Sequence, residues 1–276
     1  MFAWAGSSHG ATVGVLPIFA AAVILAFVVQ WVVFVPSQIV HSERFFDLTG
    51  SITYTLITLV LLFVIPERSP RAIVLGLLVI IWAVRLGTFL FRRISRDGSD
   101  SRFDEIKRSP LRFFNVWTIQ GLWITITASA AWIAMTSDNQ APLGVFFFVG
   151  VGLWLIGFVV EVTSDLQKSR FRSIPSNRGR FISTGLWSWS QHPNYFGEIT
   201  MWVGISVAAV ANLSGWQFVG LLSPVFVVVL LTKVSGIPLL QEKAASKWGN
   251  DSDFRDYQER TSLLVPLPPR HPRGRR

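Results

Sequence analysis

Apolar residues run along this chain in uncharged blocks long enough to cross a lipid bilayer. A transmembrane helix needs about 20 mostly apolar residues. Residues 11–35 and 48–65 carry no charge, and residues 72–91 carry only Arg85. Residues 113–136 and 141–160 are again uncharged, and the second of these spans is predicted to run on to 163. The stretch 199–232 is uncharged over 34 residues, too long for one pass at ~1.5 Å per residue. Its Asn212-Leu213-Ser214-Gly215 reads as a tight turn, which divides it into spans near 196–211 and 215–232. No positively charged region precedes the first apolar run and no cleavage site follows it, so the run reads as a retained first helix. The pattern predicts an all-α polytopic membrane protein with seven transmembrane helices in one domain, residues 1–269. Residues 270–276 read as a basic, disordered tail drawn to the lipid surface.

Composition sharpens this picture by exclusion. The chain is 51% hydrophobic and 15% charged, against about 25% charged for a soluble domain. It has no cysteine, which excludes a disulfide scaffold, a thiolate metal site and a cysteine nucleophile. The net charge of +9 would suggest nucleic acid on a soluble protein. Here it has another cause, and no nucleic-acid partner is expected. Of the 25 basic residues, 21 fall in three regions, 92–112, 168–180 and beyond 232. Alternating spans put all three on one side, while the opposite loops hold only Arg68 and Arg71. The positive-inside rule then places the C-terminus in the cytoplasm and the N-terminus outside.

Most of these cations are explained by topology, but a few are not. Arg85 sits within an apolar run, where a charge is costly unless it is paired or faces a wet cavity; snorkelling to the interface is the alternative. Glu161, Asp165, Lys168 and Arg172 recur at spacings of four, three and four, one face of a helix leaving the membrane. Both carboxylates and both cations are expected to face one wedge of space. Such a stripe suits a ligand with phosphates at one end and hydroxyls at the other. The sharpest motif is His192-Pro193-Asn194-Tyr195-Phe196-Gly197-Glu198, preceded by Gly185-Leu186-Trp187. Pro193 is predicted to open a helix, which puts Asn194, Tyr195 and Glu198 in its first turns, where anions are favoured. Asn194 offers donor and acceptor to an amide such as nicotinamide. A lone His192 can equally be a structural cap. His9, His41 and His271 are scattered, so no metal site is expected.

These residues resemble the signature of the membrane steroid 5α-reductase superfamily, which also holds sterol delta-14 reductases and isoprenylcysteine carboxyl methyltransferases. Asp165-Leu166-Gln167-Lys168 with Arg172, then Lys233-Val234-Ser235-Gly236-Ile237-Pro238 with Glu242, then Tyr257 with Arg260-Thr261 and Pro266 follow in the family's order. The resemblance covers roughly residues 82–269, with Gln191 where the family usually has Arg. It is closest to the bacterial branch of the superfamily. It implies a seven-helix reductase that binds NADPH from the cytosol and reduces a double bond conjugated to a ketone. Matched residue by residue, the cofactor shell is Arg85, Arg96, Asp165, Arg172, Asn194 and Glu198, with Lys168, His192, Tyr195 and Tyr257 beside them. The family's ketone-binding Glu is matched by Asp47 and its Tyr by Trp82. Trp can donate one hydrogen bond but cannot give up a proton as a phenol can. The missing acid is then Asp47, or Tyr54, seven residues on and on the same helix face, or a water held between them; Asp47 is favoured for its match, with a helix N-cap as its alternative role.

The reading implied is a multi-pass oxidoreductase of a bacterial inner membrane, its site open to the cytoplasm. Its partners are membrane lipid and a lipophilic substrate, a steroid or isoprenoid enone. A methyltransferase using S-adenosylmethionine is the main rival, although its cofactor has no phosphates for these cations. A non-catalytic sterol- or lipid-binding protein is the other.

Overall fold

A computed structural model of the chain describes residues 1–98, 100 and 103–270. Arg102 among the predicted cytoplasmic cations, His271, and the tail from 271 onward lie outside the described residues. The fold is nearly all-α, and its only described strands are the two-residue pair β1 (Thr12–Val13) and β2 (Leu16–Pro17). Six helical stretches among the described residues are long and apolar enough to cross a membrane.

The chain divides into two compact units. The first comprises Met1–Gly150 and Ile205–Ser223. After a short helix, α1 (Phe2–Gly6), and the β1–β2 hairpin come α2 (Ile18–Ile39), α3 (Phe46–Val64), α4 (Pro70–Asp97) and α5 (Pro110–Thr136). The first span therefore starts seven residues later than the apolar run predicts. Pro17, extended at ψ 133°, is the residue before the helix, and the segment ahead of it pairs in the hairpin. Helices α4 and α5 start in the same way, with Ser69 or Ser109 as N-cap and proline next. α3 packs along α4 and α2 along α5, while α5 touches all three. Accordingly α5 is the buried helix, with Trp117 and Trp132 fully enclosed. Phe103 packs on Phe46, Phe113 and Trp117, and Glu43 accepts from the Lys107 ammonium and the Asp100 amide, both at 2.9 Å. Asp100, Phe103 and Lys107 are thus tied down rather than merely part of a charged loop.

The second unit comprises Val151–Gly204 and Pro224–Arg276. α6 (Val145–Ser173) enters it, followed by α7 (Pro193–Ala209), α8 (Leu222–Val229), α9 (Ile237–Trp248) and α10 (Ser252–Arg260). Between α7 and α8, in residues that belong to the first unit, the chain turns at Asn212–Gly215, where Ser214 caps the next turn and its reciprocal partner is Gln217. At 17 residues α7 is only ~25 Å long, short of the ~30 Å hydrocarbon core. Gly215–Trp248 forms one candidate span of 34 residues; its helix passes the predicted end at 232 through a π turn at Leu230–Val234 and breaks at Ser235–Gly236 before α9.

Candidate functional site

Two helices of the second unit meet backbone to backbone. A Cβ on Gly157 of α6 would lie 2.5 Å from the Gly197 carbonyl, and one on Gly197 would lie 2.7 Å from the Glu161 amide. Only glycine permits so close an approach. The crossing lays the first turns of α7 over the α6 face that carries Glu161. Glu161, Ser164 and Asp165 are buried, while Asn194, Tyr195 and Glu198 are half-buried. Pro193 opens α7 as its first residue.

The loop before α7 is also fastened to α6. Gly185 has φ +63°, and the next amide, of Leu186, donates to Gln167 Oε1 at 3.0 Å. A side chain at 185 would both strain the backbone and strike the Gln167 carboxamide at 2.6 Å. Trp187 then drops inward and donates from Nε1 to the Ser164 carbonyl at 3.0 Å. Lys168 sits over its ring, 4.4 Å from the centre, a cation–π contact. Facing this wall is an aromatic cluster in which Phe181 lies 5.1–6.0 Å from Trp248, Phe254 and Tyr257. Tyr257 bridges the two walls by donating to the Trp187 carbonyl at 2.7 Å.

Between the walls lies a cavity of about 270 Å³. Five cationic side chains line it, Lys168 and Arg172 from α6, Arg180, and Lys243 and Lys247 from α9, and no described carboxylate does. His192 lines it too, buried and stacked on Tyr195 at 5.6 Å. Its Nδ1 has no hydrogen-bond partner among the described residues. Burial, and then the charge of Lys168, push the imidazole down to about 4, so it is neutral at pH 7. Burial pushes the Tyr257 phenol up, which keeps it a donor. Flat rings, clustered cations and an open imidazole nitrogen suit a ligand that carries phosphates and an aromatic ring.

Of the predicted cofactor residues, Lys168, Arg172, His192 and Tyr257 share this cavity. Asp165, Asn194, Tyr195 and Glu198 belong to the same two helices but do not line it. The predicted stripe on α6 is therefore divided. Its cations reach the cavity, whereas its carboxylates are buried and do not line it, Glu161 lying at the glycine crossing with α7. Sequence reasoning missed Arg180, Lys243, Lys247 and Trp248, the first three because they were assigned to topology. The available sign was Leu240, Ala244 and Lys247 at helical spacing on one face.

In the first unit Asp47 lies one residue inside α3, whose N-cap is Phe45; it is not the cap. Its carboxylate is 3.5 Å from the Arg93 guanidinium. Tyr54 is buried, with its ring edge-on to Trp82 at 5.1 Å and 83°. The half-buried Arg85 guanidinium lies 5.4 Å from the Phe89 ring centre, and Arg96 is exposed in the last turn of α4. No group of three or more metal-ligating side chains occurs among the described residues.

Comparison with known proteins covers most of the chain. Residues 33–261 match a family described as a protein of unknown function, DUF1295. An uncharacterized protein of Schizosaccharomyces pombe is 25% identical over 72% of this chain and 64% of its own length. The 3-oxo-5-alpha-steroid 4-dehydrogenase 1 of Rattus norvegicus is 27% identical over 44% of this chain and 41% of its own. The enzyme of the same name from Macaca fascicularis is 30% identical over 44% and 41%. The chain thus spans under two thirds of the yeast protein and about two fifths of the two dehydrogenases. No solved structure gives a significant match.

Proposed function

The chain belongs to the DUF1295 family, within the membrane steroid 5α-reductase superfamily, and on that footing we propose that it is an NADPH-dependent reductase of a conjugated carbon–carbon double bond in a lipophilic enone, of the 3-oxo-5α-steroid 4-dehydrogenase type. The observation that carries this reading is the aromatic cavity with five cations and an unpartnered His192 nitrogen. A dinucleotide is a polyanion with two flat rings, so this set of donors fits it. S-adenosylmethionine has no phosphate and matches this set of donors less well.

Within this reading Arg172 grips phosphate through its planar fork, and Lys168 adds a point charge while it packs on Trp187. Trp187 and Trp248 offer faces for a ring. His192, neutral, offers a hydrogen bond that phosphate repulsion does not oppose. The bound cofactor would supply the hydride, and the chain's own residues orient the partners and furnish a proton. In this reading the acid is Tyr54 rather than Asp47. Tyr54 is buried against the residue that stands in the family's tyrosine position, whereas Asp47 is engaged by Arg93. The phenol holds the ketone oxygen as enolate charge develops there, and Trp82 fixes the ring that carries it. A lipophilic substrate enters from the membrane, and the cofactor from the cytoplasm.

Purified protein should be stabilised by NADPH, by ~2.7 kcal/mol at a hundredfold excess over Kd, read as a rise in melting temperature. A shift by S-adenosylmethionine and none by NADPH would turn the reading to a methyltransferase. Tyr54→Phe should keep the NADPH shift and lower enone turnover ~10²–10⁴-fold, with Asp47→Asn costing less; the reverse ranking would return the acid to Asp47.

A further inference from the structure

The loop that carries His192 is held from one side by α6, and from the other by the segment that follows α10. Tyr257 donates to the Trp187 carbonyl. The Gln191 amide donates to the Ser262 carbonyl at 2.8 Å, and the Leu267 amide to the Trp189 carbonyl at 3.1 Å. The Ser190 hydroxyl is fully buried, donates to the Leu264 carbonyl at 2.7 Å and accepts from the His192 amide at 3.0 Å. Ser190 and Ser262 pair as a short parallel bridge. One side chain closes this set. The Gln191 carboxamide nitrogen donates to the Gln258 carbonyl at 3.1 Å and to the Thr261 carbonyl at 2.9 Å.

Those two acceptors belong to the end of α10, whose C-cap is Thr261. The last carbonyls of a helix have no intrahelical donor. Gln191 therefore caps α10 from outside and, in doing so, fixes the helix that presents Tyr257 and Gln258 to the cavity. We propose that Gln191 is a positioning residue for the cofactor cavity, one that caps α10 and so latches the segment 257–267 against the His192 loop. The proposal rests on the reading of that cavity as the NADPH site. It also explains how the chain tolerates Gln in place of the family's Arg. A carboxamide with two N–H donors reaches both carbonyls, and a guanidinium at the same place would do so with the added benefit of the helix dipole.

The test uses the full-length protein and three variants, Gln191→Ala, Gln191→Arg and Gln191→Glu. Ala and Glu remove the donors and should raise the KM and Kd for NADPH about tenfold, with a smaller change in kcat. Arg restores donors but has no acceptor oxygen, so it should bind NADPH within about twofold of the wild type. Full binding by Gln191→Ala overturns the proposal. Loss in Gln191→Arg equal to that in Gln191→Ala overturns it too, because the carboxamide oxygen would then be touching the cofactor directly. Amide hydrogen exchange at 262–267 separates this proposal from the NADPH reading. If the wild type binds no NADPH, that reading fails; the latch still stands if exchange quickens in Gln191→Ala and slows again in Gln191→Arg, and falls if exchange does not change.

Discussion

The two units each gather polar groups, and they do so to opposite ends. In the first unit Arg71 is buried, with Nη1 donating to the Asn212 side-chain oxygen and Nη2 to the Pro142 carbonyl at 2.8 Å. The Phe147 ring centre lies 5.8 Å from the guanidinium carbon. Asn212 in turn accepts from the Ala141 amide, donates to the Ala134 carbonyl and receives the Ser137 hydroxyl on its own carbonyl. Of these groups, Arg71 Nε is left without a partner among the described residues. In the second unit five cations surround an open volume, with a buried imidazole nitrogen lacking a partner. Like charges held together disfavour folding, and an unpartnered buried nitrogen costs about 1–3 kcal/mol. Polar groups that satisfy one another are there for the fold. Cations gathered around a void, beside an imidazole nitrogen with no partner among the described residues, mark a place where something binds.

The largest expected effect should come from breaking the satisfied cluster. Asn212→Ala removes the acceptor from a buried guanidinium and orphans the Ala141 amide and the Ala134 carbonyl. With a charge among the orphaned groups, the loss should be roughly 3 kcal/mol or more, seen as a lower unfolding midpoint in mixed detergent. The NADPH affinity of the protein that remains folded should not change. A variant of normal stability that has lost NADPH binding would erase the distinction between the two clusters.

The sequence shows the satisfied cluster poorly and the open one in part. Nothing in the pattern pairs Arg71 with Asn212, which lie 141 residues apart; the arginine reads only as a loop charge. Six of the seven expected spans coincide with helices long and apolar enough to cross a bilayer, and these were legible because uncharged runs of bilayer length have one stable solution in lipid. Their ends were less so. The hairpin ahead of Pro17 and the π turn at 230–234 depend on local hydrogen bonding that hydropathy does not carry. In the cavity, Lys168 and Arg172 could be read from helical spacing on a single element. Lys243, Lys247 and Trp248 could not, since they come to the cavity from α9, an element far along the chain whose place beside it is set by tertiary folding. Periodicity also cannot say what covers a face, and it does not show Glu161 at the glycine crossing with α7 or Asp165 buried outside the cavity that the cations line.

A smaller effect should come from thinning the charge of the open cluster. Arg172 is exposed at the cavity, so Arg172→Ala should leave the unfolding midpoint nearly unchanged. It should weaken NADPH by roughly 1.5–3 kcal/mol, the worth of a charge-assisted pair, measured by titration. Normal affinity in this variant would make the residue a surface charge and remove the cavity's strongest phosphate ligand.

The smallest effect concerns His192, and its sign follows from burial. The ordinary imidazole value is 6.5, and the folded protein holds this one at about 4, first by burial and then by the charge of Lys168. Between those values the unfolded chain binds a proton that the folded protein refuses, so stability rises with pH. The contribution is complete above about pH 6.5 and is lost as pH falls towards 4. By pH 5 the loss should be about 2 kcal/mol. Carboxylates also weaken the fold in acid, so the informative quantity is the difference between wild type and His192→Asn, followed from pH 7 to 4.5 by unfolding midpoint. That difference should shift by the stated amount across the window. Lys168→Met should keep most of the pH slope, because burial is the larger cause. Parallel curves for wild type and His192→Asn would mean that His192 titrates as it does in water, and the cavity would then be wet enough that its cations need no ligand to explain them.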